Sequence, residues 1–104
     1  MRSKYIENKL DKMFQELSRN KLCAICGKSA QAIHHIIGRA NKELRWDRKN
    51  ALPVCLHCHR KIHDGLVDVY DYIPEERIMY LEGKRNAICK PDADYYKQKE
   101  MELK

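Results

Sequence analysis

No run of apolar residues in this 104-residue chain approaches the roughly 18 that a membrane span requires. The first stretch, MRSKYIENKLDKMF, is charged throughout and has no apolar h-region, so no secretory signal is expected. No membrane partner is expected either, and the default compartment is a reducing cytoplasm. Internal repeats and low-complexity tracts are also missing. The length suits one compact domain, 1–104, whose core would be modest. A domain of this size often needs a staple, and five cysteines offer one. In a reducing compartment, Cys-x-x-Cys pairs read as metal sites before they read as disulfides.

Hydrophobic periodicity predicts a helix over 4–19, where Ile6, Leu10, Met13, Phe14 and Leu17 form one apolar stripe ended near Asn20-Lys21. That stripe reads as core packing without chemistry. AQAIHHIIG, residues 30–38, reads as a strand. Residues 39–49 read as a polar, basic loop or hairpin arm, and 51–54 as a short return strand that Pro53 keeps at an edge. Residues 55–63 run from a turn into a helix stopped by Asp64-Gly65. A further helix begins around Ile73-Pro74-Glu75-Glu76 and ends near Gly83, and a last one covers 92–103. The fold class is α+β. A segment at 21–65 lies between an N-terminal helix (1–20) and a helical extension (66–104).

The net charge of +6 is unevenly spread. Residues 21–63 hold nine Lys/Arg against two Asp/Glu, whereas 64–104 hold seven against ten. The positive charge coincides with the cysteines and histidines, where phosphate contacts would be needed if the partner were nucleic acid. A solvated basic surface is the bland alternative.

Cys23, Cys26, Cys55 and Cys58 make two C-x-x-C pairs separated by 28 residues. Four thiolates around a d¹⁰ ion close a tetrahedral site with no position left for water, so this reads as a structural zinc. A redox pair fits less well, since two pairs are present and no βαβ pattern surrounds either. Cys89 is left over as a free thiol. On a helix, His59 and His63 stand at i and i+4 and can share a metal. On a strand, His34 and His35 point to opposite sides. One of them could join that metal while the other stays near it but off it, and spacing alone does not say which.

The stretches CAIC, AIHHIIGR and NALPVCLHCHRKIH resemble the HNH endonucleases of the ββα-metal fold, in the branch with a four-cysteine zinc knuckle. Asn50 follows His35 by fifteen residues, His59 follows Asn50 by nine, and His63 follows His59 by four. The resemblance covers about forty residues. It implies hydrolysis of DNA phosphodiesters, with His35 as general base and one divalent ion held by His34 and His59, and it makes His63 a third ligand or a phosphate contact. It places Asn50 where it either fixes the loop behind the base or ligates the ion. Histidine ligands widen the choice of working ion to Mg²⁺, Mn²⁺, Ni²⁺ or Zn²⁺. The base should stay off the metal, with its second ring nitrogen held by a backbone carbonyl. Arg39, Arg45, Arg48 and Arg60 are candidates to grip flanking phosphates, or else solvated surface charges. Trp46 reads as packing before base stacking. No element suited to base readout is evident, so DNA recognition should be largely sequence-independent. Small domains of this kind resemble phage, prophage or mobile-element proteins, which brings a homodimer or a larger partner of that origin into view. The competing reading is a non-catalytic zinc ribbon binding DNA or a partner. It leaves His34, His35, Asn50, His59 and His63 without a task.

Overall fold

A computed structural model describes residues 2–104, with side chains from residue 4 onward. The element order is α1 (Arg2–Gln15), β1 (Ala32–His35), β2 (Ala51–Val54), α2 (Leu56–His63), α3 (Glu75–Lys84) and α4 (Ala93–Leu103). Single 3₁₀ turns occupy Glu16–Ser18, Arg48–Asn50 and Val69–Tyr72. The protein is thus a small α+β fold around one two-stranded antiparallel sheet. Among the described residues no helix is long and apolar enough to cross a membrane.

The hairpin pairs Ala32 with Val54, Ile33 with Pro53, His34 with Leu52 and His35 with Ala51. Paired residues share a face and neighbours alternate, so the ribbon has two differently dressed sides. Leu52 and Val54 belong to a core shared with Cys23, Cys55, Cys58, Ile73 and Leu81. Ile33 and Ala51 belong to a second core with Leu10, Phe14, Trp46, Tyr96 and Leu103. The hairpin is therefore the wall between the two cores, with α1 and α4 behind one face.

The expected strand over 30–38 shortens to four residues. The N–H of Ile36 still bonds the Asn50 carbonyl, but the Ile37 N–H donates to the Asn50 side chain, and the chain leaves the ladder there. The first helix ends at Gln15, short of the expected 19, and a 3₁₀ turn carries the chain to Asn20, whose positive φ of 60° breaks the direction. After α2, Gly65 adopts φ 74° while its N–H bonds the Ile62 carbonyl and the Leu66 N–H reaches Lys61, a Schellman stop. Pro74 caps α3, so the helix starts at Glu75, and Ile73 is buried as an anchor. Asp92 caps α4 by accepting the Tyr95 N–H at 2.8 Å.

The two terminal helices meet the hairpin loop through Glu7. Its carboxylate accepts from Lys42 Nζ and from the Tyr96 hydroxyl, each at 2.7 Å. Burial raises the Glu7 pKa, but these partners outweigh it and hold the carboxyl below its ordinary 4.5. A carboxyl depressed by folding stabilises the fold above its unfolded pKa and loses that contribution as pH falls through the folded value. The stability gap between wild type and Glu7→Gln should therefore be full above about pH 5 and close on further acidification. Urea unfolding of both proteins across that range checks this, and a gap independent of pH would contradict it.

Candidate active site

Two ligand clusters sit on either side of the start of α2. In the first, the ligand atoms of Cys23, Cys26, Cys55 and Cys58 lie within 4.8 Å of one another. Each pair forms a turn in which a backbone N–H faces a sulfur: Cys26 N to Cys23 Sγ at 3.5 Å, and Cys58 N to Cys55 Sγ at 3.4 Å. Gly27 makes the first turn possible with φ 80°. Between the pairs, Cys26 Sγ and Cys55 Sγ approach to 3.7 Å. Two sulfurs on one tetrahedral zinc, at about 2.3 Å each, stand about 3.8 Å apart, so the spacing fits the ion. Burial opposes ionisation of Cys23, but surrounding amides outweigh it and bring its thiol down to about 6. Burial and the three other thiols push Cys58 up to about 12. Full deprotonation of this crowded set requires a cation among the sulfurs. The cluster can hold a zinc that ties the knuckle at 23–26 to the N-terminus of α2.

In the second cluster, ring nitrogens of His34, His59 and His63 lie within the same 4.8 Å limit. His59 and His63 project from one side of α2, their Nε2 atoms 3.1 Å apart. His34 faces them from β1, its ring centroid 5.4 Å from His59 and 5.5 Å from His63. Burial, followed by the neighbouring imidazoles, lowers the His34 pKa to about 4. Burial, then His63, lowers that of His59 as well. Both rings are neutral near pH 7, the state that ligates metal. His57 points outward on α2 and is exposed.

His35 is on the opposite face of β1. Its Nε2–H donates to the Arg45 carbonyl at 2.9 Å, which leaves the Nδ1 lone pair free. The ring stacks on Phe14 at 4.6 Å with an interplanar angle of 18°. Burial lowers its pKa, although the Arg45 carbonyl works the other way. His34, His35, His59 and His63 nevertheless line one open cleft of about 650 Å³, together with Arg39, Gly38, Asp11 and Gln15.

Asn50 lies elsewhere. It is 0% exposed, accepts from Ile37 N at 2.7 Å, and donates to the carbonyls of Ile37 at 2.9 Å and Leu44 at 3.1 Å. Every polar atom of its side chain is engaged with backbone, and it does not line the cleft. Of the two positions that the resemblance allowed, the geometry is that of a loop clamp rather than a ligand.

The four arginines separate. Arg39 is 60% exposed at the cleft, where it pairs with Asp11 at 2.8 Å. Arg45 is only 14% exposed and is bound to Asp11 at 2.8 Å. Arg48 donates to the Glu102 carbonyl, and Arg60 pairs with Asp64 on the outer side of α2. Neither lines the cleft. Trp46 is fully buried and donates to Asp11 at 3.0 Å, which leaves it no base to stack on. Sequence reasoning missed the contributions of Asp11, Phe14 and Gln15. Phe14 shows in the sequence only as one more member of an apolar stripe, and Asp11 and Gln15 carry no local signal.

Residues 23–65 match the family model of the HNH endonucleases. A 65-residue stretch is 32% identical to a mitochondrial DNA mismatch repair protein, a mutS homolog of Sarcophyton glaucum, over 56% of this chain. The matched region is 7% of that relative's length. No solved structure gives a significant match.

Removing either clamp should be costly. Asn50→Ala orphans one buried N–H and two carbonyls, so we expect a loss of about 3 kcal/mol or more in denaturant unfolding. Cys55→Ser should abolish tight zinc binding and leave the chain unfolded. Metal analysis with circular dichroism tests the latter, and a folded, zinc-free variant would argue against a structural site.

Proposed function

We propose that this protein is a metal-dependent endonuclease that hydrolyses DNA phosphodiester bonds in the cleft between β1 and α2. The observation that carries the reading is the division of labour between adjacent histidines. His34 faces the α2 pair, while His35 faces α1 with one nitrogen tied to a carbonyl and the other free.

In this reading His34, His59 and His63 hold one divalent ion. Such an ion supplies Lewis-acid stabilisation of charge on the scissile phosphate and on the departing 3′ oxygen. Three imidazole ligands suit Ni²⁺ or Zn²⁺ better than Mn²⁺ or Mg²⁺, which favour oxygen donors. The four cysteines hold a separate structural zinc. His35 is the general base. With Nε2–H engaged by the Arg45 carbonyl, Nδ1 accepts a proton from the attacking water as the water oxygen bonds to phosphorus. The bond from phosphorus to the 3′ oxygen breaks in the same displacement, which gives a 5′-phosphate and a 3′ oxyanion that takes a proton from solvent water to become the 3′-hydroxyl. A neutral imidazole is the form that can take that proton, and burial favours it. Asn50 acts through the loop that it clamps. Arg39 is the arginine placed to meet a flanking phosphate in the cleft, whereas Arg45 serves the interior. One such cleft per chain nicks one strand at a time, so a double-strand break calls for a second copy or a second event.

The test is nicking of a supercoiled plasmid with Mg²⁺, Mn²⁺ or Ni²⁺. His35→Ala should lose about 100-fold or more in rate while keeping both metals. His59→Ala should lose the weaker metal and retain the zinc. Wild-type protein that binds DNA yet is inert with every ion would sink the nuclease reading and favour a zinc-ribbon binding module.

A further inference from the structure

The match to the nuclease family begins at residue 23, yet much of the setting around His35 comes from α1, which ends at residue 15. Three consecutive contacts make that setting. Phe14 stacks on the imidazole. One turn away, Asp11 gathers four donors onto one carboxylate: Arg45 Nε at 3.2 Å and Nη2 at 2.8 Å, Arg39 Nη2 at 2.8 Å and Trp46 Nε1 at 3.0 Å. Gln15 grips the backbone of Ile33, accepting its N–H at 2.9 Å and donating to its carbonyl at 3.1 Å.

These contacts bear on one atom. The carbonyl that holds His35 Nε2 belongs to Arg45, the same residue whose guanidinium Asp11 ties down in two places. The residue beside it, Trp46, is fixed by the same carboxylate. Residues 39–49 contain no strand and no α-helix, so the Arg45 carbonyl has no ladder to fix its direction. Its position is set by Asp11 on one side and by Asn50, which holds the Leu44 carbonyl, on the other. Gln15 fixes β1 two residues before His35, and Phe14 sets the plane of the ring.

We propose that Asp11, Phe14 and Gln15 are positioning residues for His35, which makes α1 a working part of the nuclease centre rather than a core-packing appendage. The proposal rests on the reading of His35 as the base. Asp11 acts through the Arg45 carbonyl. It holds the acceptor that selects the Nε2–H tautomer and so leaves the Nδ1 lone pair free. Asp11 also borders the cleft and restrains Arg39, so its charge opposes the binding of a phosphate there. Its loss should weaken turnover without weakening DNA binding.

The experiment uses full-length, zinc-loaded protein and compares Asp11→Asn and Phe14→Leu with Leu103→Val. Leu103 lies in the same core, on α4, and no hydrogen bond or ring contact links it to His35. Two readouts are taken: nicking at saturating and limiting plasmid, and the ¹⁵N shifts of His35 at one fixed pH above 7. We expect Asp11→Asn to lower kcat about tenfold or more with KM unchanged or reduced, because a small misplacement of a reacting group has effects of this size. Its ¹⁵N shifts should move from a single Nε2–H form toward a mixture of tautomers. Phe14→Leu should lower kcat with KM unchanged, and Leu103→Val should lower the melting temperature while kcat and the shifts stay put. If Asp11→Asn loses its zinc or its fold, Phe14→Leu decides. Folded variants with wild-type kcat and shifts overturn the proposal, as does an equal fall in kcat for Leu103→Val. If His35→Ala cuts as well as wild type, the nuclease reading has failed. An inert His35→Ala beside fully active helix variants overturns only the role of α1.

Discussion

A β-strand sends consecutive side chains to opposite faces, and this protein places two histidines at consecutive positions of a strand four residues long. The rest of the architecture follows from having to furnish both faces of so small a ribbon. On one side, His34 faces two imidazoles that α2 presents one turn apart, a set that could hold a metal. On the other, His35 needs cover, an acceptor for one nitrogen and a fixed plane, which come from Phe14 and the Arg45 carbonyl. A two-stranded sheet is marginal by itself in water, so neither face could be furnished without elements packed against it. The two separate cores of this chain are the consequence. Each backs one face of the hairpin, and the hairpin divides them.

Register and attachment then have to be rigid, because a one-residue slip would exchange the faces of His34 and His35. Two devices guard against it. The thiolate cluster fastens the segment before β1 to the beginning of α2, immediately after β2, and the Ala24 N–H bonds the Pro53 carbonyl alongside it. At the loop end of the hairpin, Asn50 spans from its position beside β2 to Ile37 beyond β1, taking both the N–H and the carbonyl. One clamp is a cluster of four cysteines that can hold a metal and the other a buried amide. Their separation along the hairpin is what stops the strands from sliding. Electrostatics works in the same direction. The cysteine cluster can be fully ionised only around a cation. The half-buried His34 and His35 are held neutral, and a neutral imidazole can ligate or accept a proton but does neither once charged.

What the sequence made legible and what it left hidden divide along physical lines. Ligand sets were visible because coordination imposes short spacings: C-x-x-C twice, and histidines at i and i+4 on a helix. The helices of the flanks were visible as periodicity, with ends misplaced by a few residues where a 3₁₀ turn or a proline cap intervened. The geometric role of Asn50 could not be read, since the same residue type can clamp a loop or ligate an ion, and only full burial with three backbone bonds distinguishes them. The arginines were equally opaque. Four positions looked alike, yet one borders the cleft and another is locked inside by Asp11 and Glu7. Charge patterns report composition, whereas phosphate contact requires a direction that depends on long-range pairing. Asp11 is 34 residues from Arg45, and no local pattern announces such a pair.

The same reasoning bears on where the functional unit ends. A family match marks the residues whose spacing is constrained by coordination, here 23–65. It does not mark residues that supply packing and hydrogen bonds from a distance, because many sequences can supply a flat ring or a carboxylate. A segment cut at the edges of the match would keep every metal ligand and lose the stack on His35, the tether on Arg45 and the grip on Ile33. Such a piece could still bind zinc through its four cysteines. His35 would there be exposed to water and free to turn, so zinc binding and the ordering of His35 place different demands on the length of the chain.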